Sequence, residues 1–310
     1  MEDFHTKPEA AYAETEEVFF LKTIKTVCVV GGDTRQIYTA RRLAEHGLAV
    51  CVWGFEDFGG ELQVPSVPSP REAMACDAAV LPLPCTKNGR ALNAPFAREE
   101  LSLRELETLV RPGAVVFPGM APEGLIKTLS AKGAEVFDYY RDEALTVKNA
   151  LLTAEGILGI VIEKTPITVW RMKAAVTGYG RVSYFVCRAL KALGAEVTVY
   201  ARSPAQRAKA ETACLRTEAI GDLPGQTNRY DVIVNTVPAP VVTAEAVRNA
   251  RLDCLIVEAA GAPYGVDFEA CKQYGRELVK AFSQPGKTAP GTAGILIADT
   301  VFGMIKEANL

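Results

Sequence analysis

The fold is decided by the stretch Ala175-Val-Thr-Gly178-Tyr-Gly180-Arg-Val-Ser183 and by Val197-Thr-Val-Tyr-Ala201-Arg202-Ser203, which follows after one predicted helix. The apolar run before Gly178 predicts a buried strand. Residues 181–193 have the apolar spacing of an amphipathic helix that ends at Gly194, and a second strand then ends at Ala201. Strand, glycine turn, helix and strand in this order predict a βαβ unit of a parallel sheet.

The two glycines have the spacing of a turn that binds a pyrophosphate. Gly178 permits a tight turn after the strand, and Gly180 lets the free N–H groups of the helix N-terminus approach the phosphates. The third position, usually glycine, is Ser183, whose small side chain still lets the helix pack on the sheet. Similar turns occur in α/β proteins that bind no nucleotide, but the flanking strands and helix favour a dinucleotide site, with Arg181 and Val182 at the turn.

The end of the second strand predicts which dinucleotide binds. A site for NAD carries an acid there to hold the ribose hydroxyls, whereas this chain has Ala201 followed by Arg202 and Ser203. An arginine and a hydroxyl suit a 2′-phosphate, so the sequence favours NADP over NAD. The fourth strand of the same domain ends where a nicotinamide ribose passes in this fold, at Thr236, Val237 and Pro238.

Composition restricts the class of protein. The chain has 310 residues, 49% of them hydrophobic, which suffices for two domains with separate cores. A net charge of −3 without basic clusters argues against nucleic-acid or anionic-membrane partners. Eight cysteines without a Cys-x-x-Cys pair indicate free thiols and no metal site. With no leader and no apolar run judged long enough to span a bilayer, the chain is expected to be cytoplasmic.

The pattern along the chain predicts two Rossmann-like, doubly wound parallel-sheet domains with a cleft between them. Residues 1–22 are interpreted as a flexible extension, 23–141 as an N-terminal α/β substrate domain and 142–165 as a connecting helix. Residues 166–290 are predicted to form the NADP-binding domain, and 291–310 a helix that packs back on the first domain. Helices are expected near 98–109 and 122–132, and strands near 196–200, 231–236, 253–258 and 278–281.

Three segments allow both a structural and a functional interpretation. In Gly31-Gly32-Asp33-Thr-Arg35-Gln36, Asp33 is either an N-cap or part of a ligand cluster in which Arg35 binds a substrate carboxylate through two hydrogen bonds. On the connecting helix, Lys148 and Glu155 either face the cleft or form a solvated face. The run from Gln284 to Gly294 is either a loop lining the cleft or an irregular connection.

In combination, these motifs resemble the family of the A subunit of dipicolinate synthase over roughly residues 24–308. The matching segments are Gly31-Gly32-Asp33-x-Arg35-Gln36, Asn149-Ala-x-x-Thr153-Ala-Glu155-Gly156, Gly178-x-Gly180-Arg181, Ala201-Arg202-Ser203, Asn235-Thr-x-Pro238 and Pro285-Gly-Lys-x-Ala289-Pro290-x-Thr292-Ala-Gly294.

The resemblance implies NADP-linked oxidation of a dihydrodipicolinate-type compound, formed from 4-hydroxytetrahydrodipicolinate, to pyridine-2,6-dicarboxylate. It also implies sporulation as the context, a flavoprotein-like B subunit as partner and a homo-oligomer. Two substrate carboxylates require cations, for which Arg35, Lys148 and Lys287 are the candidates. Glu155 or Lys148 is the candidate to assist loss of water. The motifs extend the expected substrate site to Asp33, Gln36, Thr153 and Thr292.

The chain departs from the family pattern at three places. The family usually has glycine at Ser183, lysine at Gly291 and a Ser-Arg-Pro-Gly-Gly-like run where this chain has residues 260–265. Two cations are thereby lost, so a related dicarboxylate is a second candidate substrate. Two other functions compete: an NADP dehydrogenase of the 2-hydroxy acid or shikimate type, disfavoured because only His5 and His46 are available as histidine acid/base groups, and a non-catalytic NADP-binding regulatory subunit.

Overall fold

The computed structural model describes residues 23–308, which form two parallel sheets with helices on both faces. The predicted fold class, two doubly wound α/β domains, is therefore confirmed. The predicted extension 1–22 lies outside the described residues.

The N-terminal domain contains a five-stranded sheet in the order β2-β1-β3-β4-β5. Its strands are β1 (Thr26–Val30), β2 (Ala49–Trp53), β3 (Ala78–Val80), β4 (Val115–Phe117) and β5 (Glu135–Val136). Its helices are α1 (Thr34–Glu45), α2 (Pro70–Ala73), α3 (Leu103–Leu109) and α4 (Glu123–Ala131). Side chains of α1 pack on one face of the sheet, and those of α2, α3 and α4 pack on the other.

The second domain contains a six-stranded sheet in the order β11-β10-β9-β6-β7-β8. Its strands are β6 (Lys173–Thr177), β7 (Glu196–Ala201), β8 (Arg216–Ala219), β9 (Val232–Asn235), β10 (Leu255–Glu258) and β11 (Leu278–Lys280). Its helices are α6 (Arg181–Ala192), α7 (Pro204–Thr212), α8 (Ala244–Asn249), α9 (Phe268–Gln273) and α10 (Gln284–Thr288). If these strands are numbered 1 to 6 in chain order from β6 to β11, their order across the sheet is 3-2-1-4-5-6, which is the Rossmann topology.

Two long helices join the domains, namely α5 (Glu143–Lys164) and α11 (Pro290–Glu307). The N-terminal end of α5 buries Leu145 in the first core, whereas Ile157 and Val161 belong to the second. Helix α11 packs on α1, where the hydroxyl of Thr39 donates to the carbonyl of Gly294 at 3.0 Å. The chain thus crosses between the domains twice, which fixes one domain against the other.

The sequence analysis missed the apolar character of α5. With 22 residues and a mean hydropathy of 1.5, this helix is long and apolar enough to cross a membrane by composition alone. In the structure, however, it is a core helix, because its buried side chains are divided between the cores of the two domains. Its composition reflects contact with protein on several sides.

Other elements differ from the sequence prediction for local reasons. Helix α3 begins only at Leu103, since Ser102 caps it and the carbonyl of Leu101 accepts from the N–H of Leu92. Strand β8 was not predicted because its sequence Arg-Thr-Glu-Ala lacks large apolar residues, as an exposed edge strand can. Residues 284–288, predicted as a loop or irregular connection, form the short helix α10.

Each sheet has one point where the strand order reverses. In the first sheet it lies between β1 and β3, and in the second between β6 and β9. Ligands of open α/β sheets bind beyond the carboxyl ends of the strands at such points. The fold therefore provides two binding crevices, one in each domain.

Candidate active site

The glycine turn after β6 has the geometry expected for close approach of a ligand. Gly178 has a φ of +77°, and a Cβ added there would lie 2.9 Å from Cγ2 of Val237, so neither the backbone nor the space tolerates a side chain. Gly180 is the N-cap of α6, and a Cβ there would point into open space. The turn is thus closed on the sheet side and open on the side where a phosphate group would enter.

Ser183 fills the third position of the glycine pattern without obstructing the turn. It is fully buried, and its hydroxyl accepts from the N–H of Gly180 at 2.7 Å. The N–H groups of Arg181 and Val182, in the first turn of α6, have no intrahelical acceptor. Serine therefore stabilises the turn and leaves the amides of the helix N-terminus available for an anion.

A cavity of about 430 Å³ extends from this turn along the ends of β6, β7 and β9. Eight of the nine residues predicted to bind the dinucleotide line it, namely Gly178, Gly180, Arg181, Val182, Arg202, Thr236, Val237 and Pro238. The ninth, Ser203, caps α7 beside the cavity without lining it. Tyr200, Gln206, Ile220 and Val241 also line the cavity and were not predicted.

The end of β7 presents a cation and no acid. Ala201 ends the strand, and Arg202 is exposed, with no side-chain hydrogen bond or ion pair to the residues that the structure describes. Gln206 lies one turn into α7, whose N-terminus faces the same cavity. This end of the cavity therefore suits a phosphate better than a pair of ribose hydroxyls.

A buried polar network holds the strand ends that border both crevices. The Thr177 hydroxyl donates to Asn235 at 2.5 Å, and Asn235 donates to the carboxylate of Glu258 at 2.7 Å. Glu258 is fully buried and also accepts from the N–H groups of Ala260, Gly265 and Val266. Four N–H donors stabilise this carboxylate, which in turn fixes the loop over residues 260–265.

A second cavity, of about 460 Å³, lies between the domains and adjoins the first, with which it shares the lining residues Arg181 and Val182. Its walls come from the start of α1, from the segment after β3, from α5, and from the segments 259–264 and 281–285. The polar side chains that line it are Arg35, Tyr140, Thr146, Asn149, Thr153, Arg181, Tyr264, Ser283 and Gln284. Within residues 23–308, no group of three His, Cys, Asp or Glu side chains is placed to hold a metal ion.

Arg35 lines this cavity, but its guanidinium is not free to bind a carboxylate through two hydrogen bonds as predicted. Asp33 is the N-cap of α1, as one interpretation expected, and its carboxylate also binds the Arg35 guanidinium at Nε (2.9 Å) and Nη2 (2.8 Å). Nη2 additionally donates to the carbonyl of Leu83. The bidentate face is thus already occupied, and among the described residues only Nη1 lacks a partner. The expected bidentate bond to a substrate carboxylate would therefore require Arg35 to leave Asp33, and Nη1 is the nitrogen that remains available.

Arg181 is the other cation in this cavity, and the sequence analysis assigned it to the dinucleotide alone. Its Nη1 donates to Glu143 at 2.5 Å and to Thr146 at 2.9 Å, both on the first turn of α5. Nε and Nη2 have no partner among the described residues, so this guanidinium also retains donors for an anion. It holds the start of α6 against the start of α5.

Of the other residues predicted to bind substrate, some line the cavity and others do not. Thr153 lines the cavity, whereas Gln36 is buried and donates to the carbonyl of Leu81 at 2.9 Å. Four residues are exposed and do not line either cavity, namely Lys148, Glu155, Lys287 and Thr292. The helical period explains why Lys148 and Glu155 do not reach the cavity. The cavity face of α5 bears residues 146, 149, 150 and 153. Positions 148 and 155 each lie two residues after one of these, which is a rotation of about 200° around the helix.

Tyr140 was missed by the sequence analysis. It lies in a single 3-10 turn, Tyr139–Arg141, and its hydroxyl accepts a long hydrogen bond of 3.4 Å from Asn149. Burial raises the pKa of the Tyr140 hydroxyl above its ordinary value, and the charges of Arg181 and Arg35 oppose this rise. The sequence signal was weak, since a tyrosine after a short strand is equally typical of a core residue such as Tyr139.

The arrangement defines a class: a two-domain Rossmann-type protein with a glycine-turn crevice that adjoins a cleft between the domains. The structure is similar to transhydrogenase from Sinorhizobium meliloti, with a TM-score of 0.67 at 17% identity, covering 90% of this chain and 93% of that one. This similarity concerns the fold alone.

Closer relatives specify the family. Residues 26–140 match the family model for the N-terminal domain of the A subunit of dipicolinate synthase. The A subunit of dipicolinate synthase from Bacillus subtilis (strain 168) is 27% identical over 287 residues, covering 91% of this chain and 96% of the relative. The crystal structure of the corresponding subunit from Bacillus halodurans has a TM-score of 0.80 at 27% identity, covering 91% of this chain and 98% of that one. The predicted resemblance to the family of dipicolinate synthase A subunits is confirmed.

Proposed function

We propose that this protein oxidises a dihydrodipicolinate-type intermediate, derived from 4-hydroxytetrahydrodipicolinate, to pyridine-2,6-dicarboxylate with NADP. The observation that supports this most directly is that the two cavities adjoin each other and share the lining residues Arg181 and Val182. A ligand in the cleft would lie next to a ligand on the glycine turn, as a reaction between substrate and dinucleotide requires.

The residues of the first cavity fit NADP. The open side of Gly180 and the free amides of α6 suit the pyrophosphate, and Arg202, with the N-terminus of α7, suits the 2′-phosphate. When bound, NADP supplies the acceptor for a hydride. The lack of an acid at the end of β7 supports NADP over NAD.

The second cavity fits a small dicarboxylate. Arg35 and Arg181 each retain unpaired N–H donors toward it, and Asn149, Thr153 and Gln284 add neutral polar groups. Oxidation of a dihydropyridine yields an aromatic ring, so the chemistry depends on positioning more than on a strong base. The lining agrees with this requirement, since it contains no described Asp, Glu, His or Lys.

The same lining argues against an alcohol dehydrogenase of the 2-hydroxy acid or shikimate type. Such enzymes need an acid/base group beside the hydroxyl. His46 binds Asp299 at 2.8 Å on α11 and lines neither cavity. From the similarity to dipicolinate synthase A subunits we further propose that the protein acts in the cytoplasm together with a second, flavoprotein-like subunit.

A coupled assay tests the proposed function. 4-Hydroxytetrahydrodipicolinate is generated in situ, NADP or NAD is added, and the absorbance of dipicolinate and of reduced nicotinamide are both followed, with and without a B subunit. We expect dipicolinate and NADPH to appear in equal amounts, and NAD to support a lower rate. Binding of NADP without any product, with or without the partner, would favour a regulatory subunit or a different dicarboxylate.

A further inference from the structure

The cavity between the domains contains few groups able to exchange a proton. Among the described residues that line it, the ionisable side chains are Arg35, Arg181, Tyr140 and Tyr264. A guanidinium does not lose its proton in a protein, which leaves the two tyrosines. Tyr264 is 36% exposed and stacks on Phe282 at 5.2 Å, at the rim of the cavity. Tyr140 is the more buried of the two.

Tyr140 is held in place by its own turn. The carboxylate of Asp138 accepts from the N–H of Tyr140 at 2.9 Å, and from the N–H groups of Met120 and Ala121 at 2.9 and 3.0 Å. One buried acid thus ties the turn that carries Tyr140 to a loop on the neighbouring strand, β4. The hydroxyl is thereby positioned without making a strong hydrogen bond itself, since its contact with Asn149 is 3.4 Å long.

The charges around Tyr140 suit a group that donates a proton and recovers it. Burial favours the neutral phenol, so the proton is present at neutral pH. Once the proton has left, the guanidiniums of Arg181 and Arg35 stabilise the phenolate. Neither Lys148 nor Glu155 can take this role from the exposed face of α5.

We propose that Tyr140 is the proton donor for loss of water from a hydroxylated, non-aromatic ring dicarboxylate in this cavity, an inference that rests on the proposed function. The phenolic proton passes to the departing hydroxyl as the C–O bond breaks, and water leaves. The electron pair of the adjacent ring C–H bond forms the new C=C bond, and its proton returns to the phenolate. Substrate becomes the dihydro compound plus water, with no net change in Tyr140 and no oxidant.

The test compares Tyr140→Phe with the unmodified protein in two assays. Without NADP, formation of the conjugated dihydro product from 4-hydroxytetrahydrodipicolinate is followed by ultraviolet absorbance above the rate in buffer; with NADP, NADPH is followed. We expect Tyr140→Phe to slow the first reaction by about 10²-fold or more, while calorimetric Kd values for NADP and pyridine-2,6-dicarboxylate change less than about 3-fold. These Kd values also show that the variant is folded. Tyr38→Phe, the same substitution on α1 outside both cavities, is the matched control.

The outcomes separate the two proposals. If the unmodified protein yields no NADPH and no dihydro product, the proposed function is wrong and the role of Tyr140 is overturned with it. If NADPH forms but water loss is no faster than in buffer, or if Tyr140→Phe loses water at the unmodified rate, the role of Tyr140 alone is overturned. If ligand binding persists and water loss is lost only in Tyr140→Phe, the role is supported.

Discussion

Arg35 has two roles that compete for the same guanidinium. Its bidentate face neutralises Asp33 at the start of α1, and only Nη1 remains for a substrate. We predict that Arg35→Lys keeps the ion pair, and with it the fold, but removes the free donors. A hydrogen bond to a charged group contributes about 1.5–3 kcal/mol, so the KM for the dicarboxylate should rise by about 10- to 100-fold. Steady-state kinetics measure this change.

Two residues of α5 provide the controls for that prediction. Lys148→Met and Glu155→Gln change the charge of exposed positions outside both cavities. Turnover and KM should therefore stay within about a factor of two of the unmodified values, as is usual for surface sites. A loss of activity in either variant, with Arg35→Lys unaffected, would contradict this assignment of the substrate site.

These residues also show what the sequence could predict of the site. The cavity at the glycine turn was predictable because its residues follow the ends of three strands of one sheet, at 178–182, 202 and 236–238, and parallel strands bring their carboxyl ends to the same edge. The cavity between the domains was not, since its residues come from α1, α5, the 3-10 turn of Tyr140 and the segments 259–264 and 281–285, and only tertiary packing brings them together. Of the two interpretations of Lys148 and Glu155, the structure shows the solvated face, and helical spacing from Asn149 and Thr153 agrees with it.

The charge at the end of β7 yields a prediction on cofactor choice. Arg202 is exposed and has no side-chain partner among the described residues, so its removal leaves the protein's own hydrogen bonds intact. We expect Arg202→Ala to raise the Kd for NADP by about 10-fold, the value of one charge-assisted hydrogen bond, and to leave the Kd for NAD unchanged. Calorimetry with both nucleotides measures the ratio, and Lys209→Ala, further along α7, is the control cation. If the Kd values for NADP and NAD rose equally, Arg202 would not lie next to the 2′-phosphate.

At the scale of secondary structure, the packing of α5 against α10 explains why a helix between two domains contains glycines. Gly156 faces α10, and a Cβ there would lie 2.7 Å from Cβ of Gln284, a residue that lines the substrate cavity. Gly159, one turn later, is exposed and would meet nothing within 4 Å. The same residue type in the same helix thus has a packing role at one position and none at the other.

This difference predicts opposite effects for the same substitution. Gly159→Ala should raise the free energy of unfolding by about 0.5–1 kcal/mol, because alanine loses less backbone entropy in a helix. Gly156→Ala gains the same amount from the smaller loss of backbone entropy, but the added methyl group overpacks the contact with α10 at a cost of about 1–3 kcal/mol. The net effect on the free energy of unfolding should therefore be neutral to destabilising. The substitution should also raise the KM, because it displaces Gln284. Urea denaturation measures the stabilities. A stabilised Gly156→Ala variant with normal KM would show that α10 moves aside freely.

The elements that the sequence did not predict share a physical feature. Strand β8 is polar because it lies at an exposed edge, and α10 is a single turn that begins in Gln-Pro-Gly. Both are stabilised by neighbours: β8 by its ladder with β7, and α10 by packing on α5. Longer helices such as α5 and α6 were predicted because the spacing of their own residues is helical.

At the scale of the whole molecule, the fold places two switch-point crevices side by side. The N-terminal sheet supplies Arg35 and Leu83 at its switch point, and the second sheet supplies the glycine turn at its own. Because α5 and α11 fix the domains together, the crevices meet at Arg181 and Val182. A ligand in either crevice therefore contacts residues that also border the other.

Because the two cavities share a wall, we predict that the two ligands bind cooperatively. The charge of the nicotinamide ring should determine whether one ligand strengthens or weakens binding of the other. Oxidised NADP carries a positive nicotinamide ring and NADPH does not, so a dicarboxylate in the adjoining cavity should bind the NADP complex more tightly. Coupling between adjacent sites is typically about 5- to 150-fold. We expect the Kd of pyridine-2,6-dicarboxylate to fall at least about 5-fold with saturating NADP, and clearly less with NADPH. Calorimetry in both orders of addition checks the result, since linkage requires the same factor for NADP binding in the presence of the dicarboxylate. Equal affinities for the NADP and NADPH complexes would mean that the nicotinamide does not reach the cleft, and the proposed hydride transfer would then lose its geometric basis.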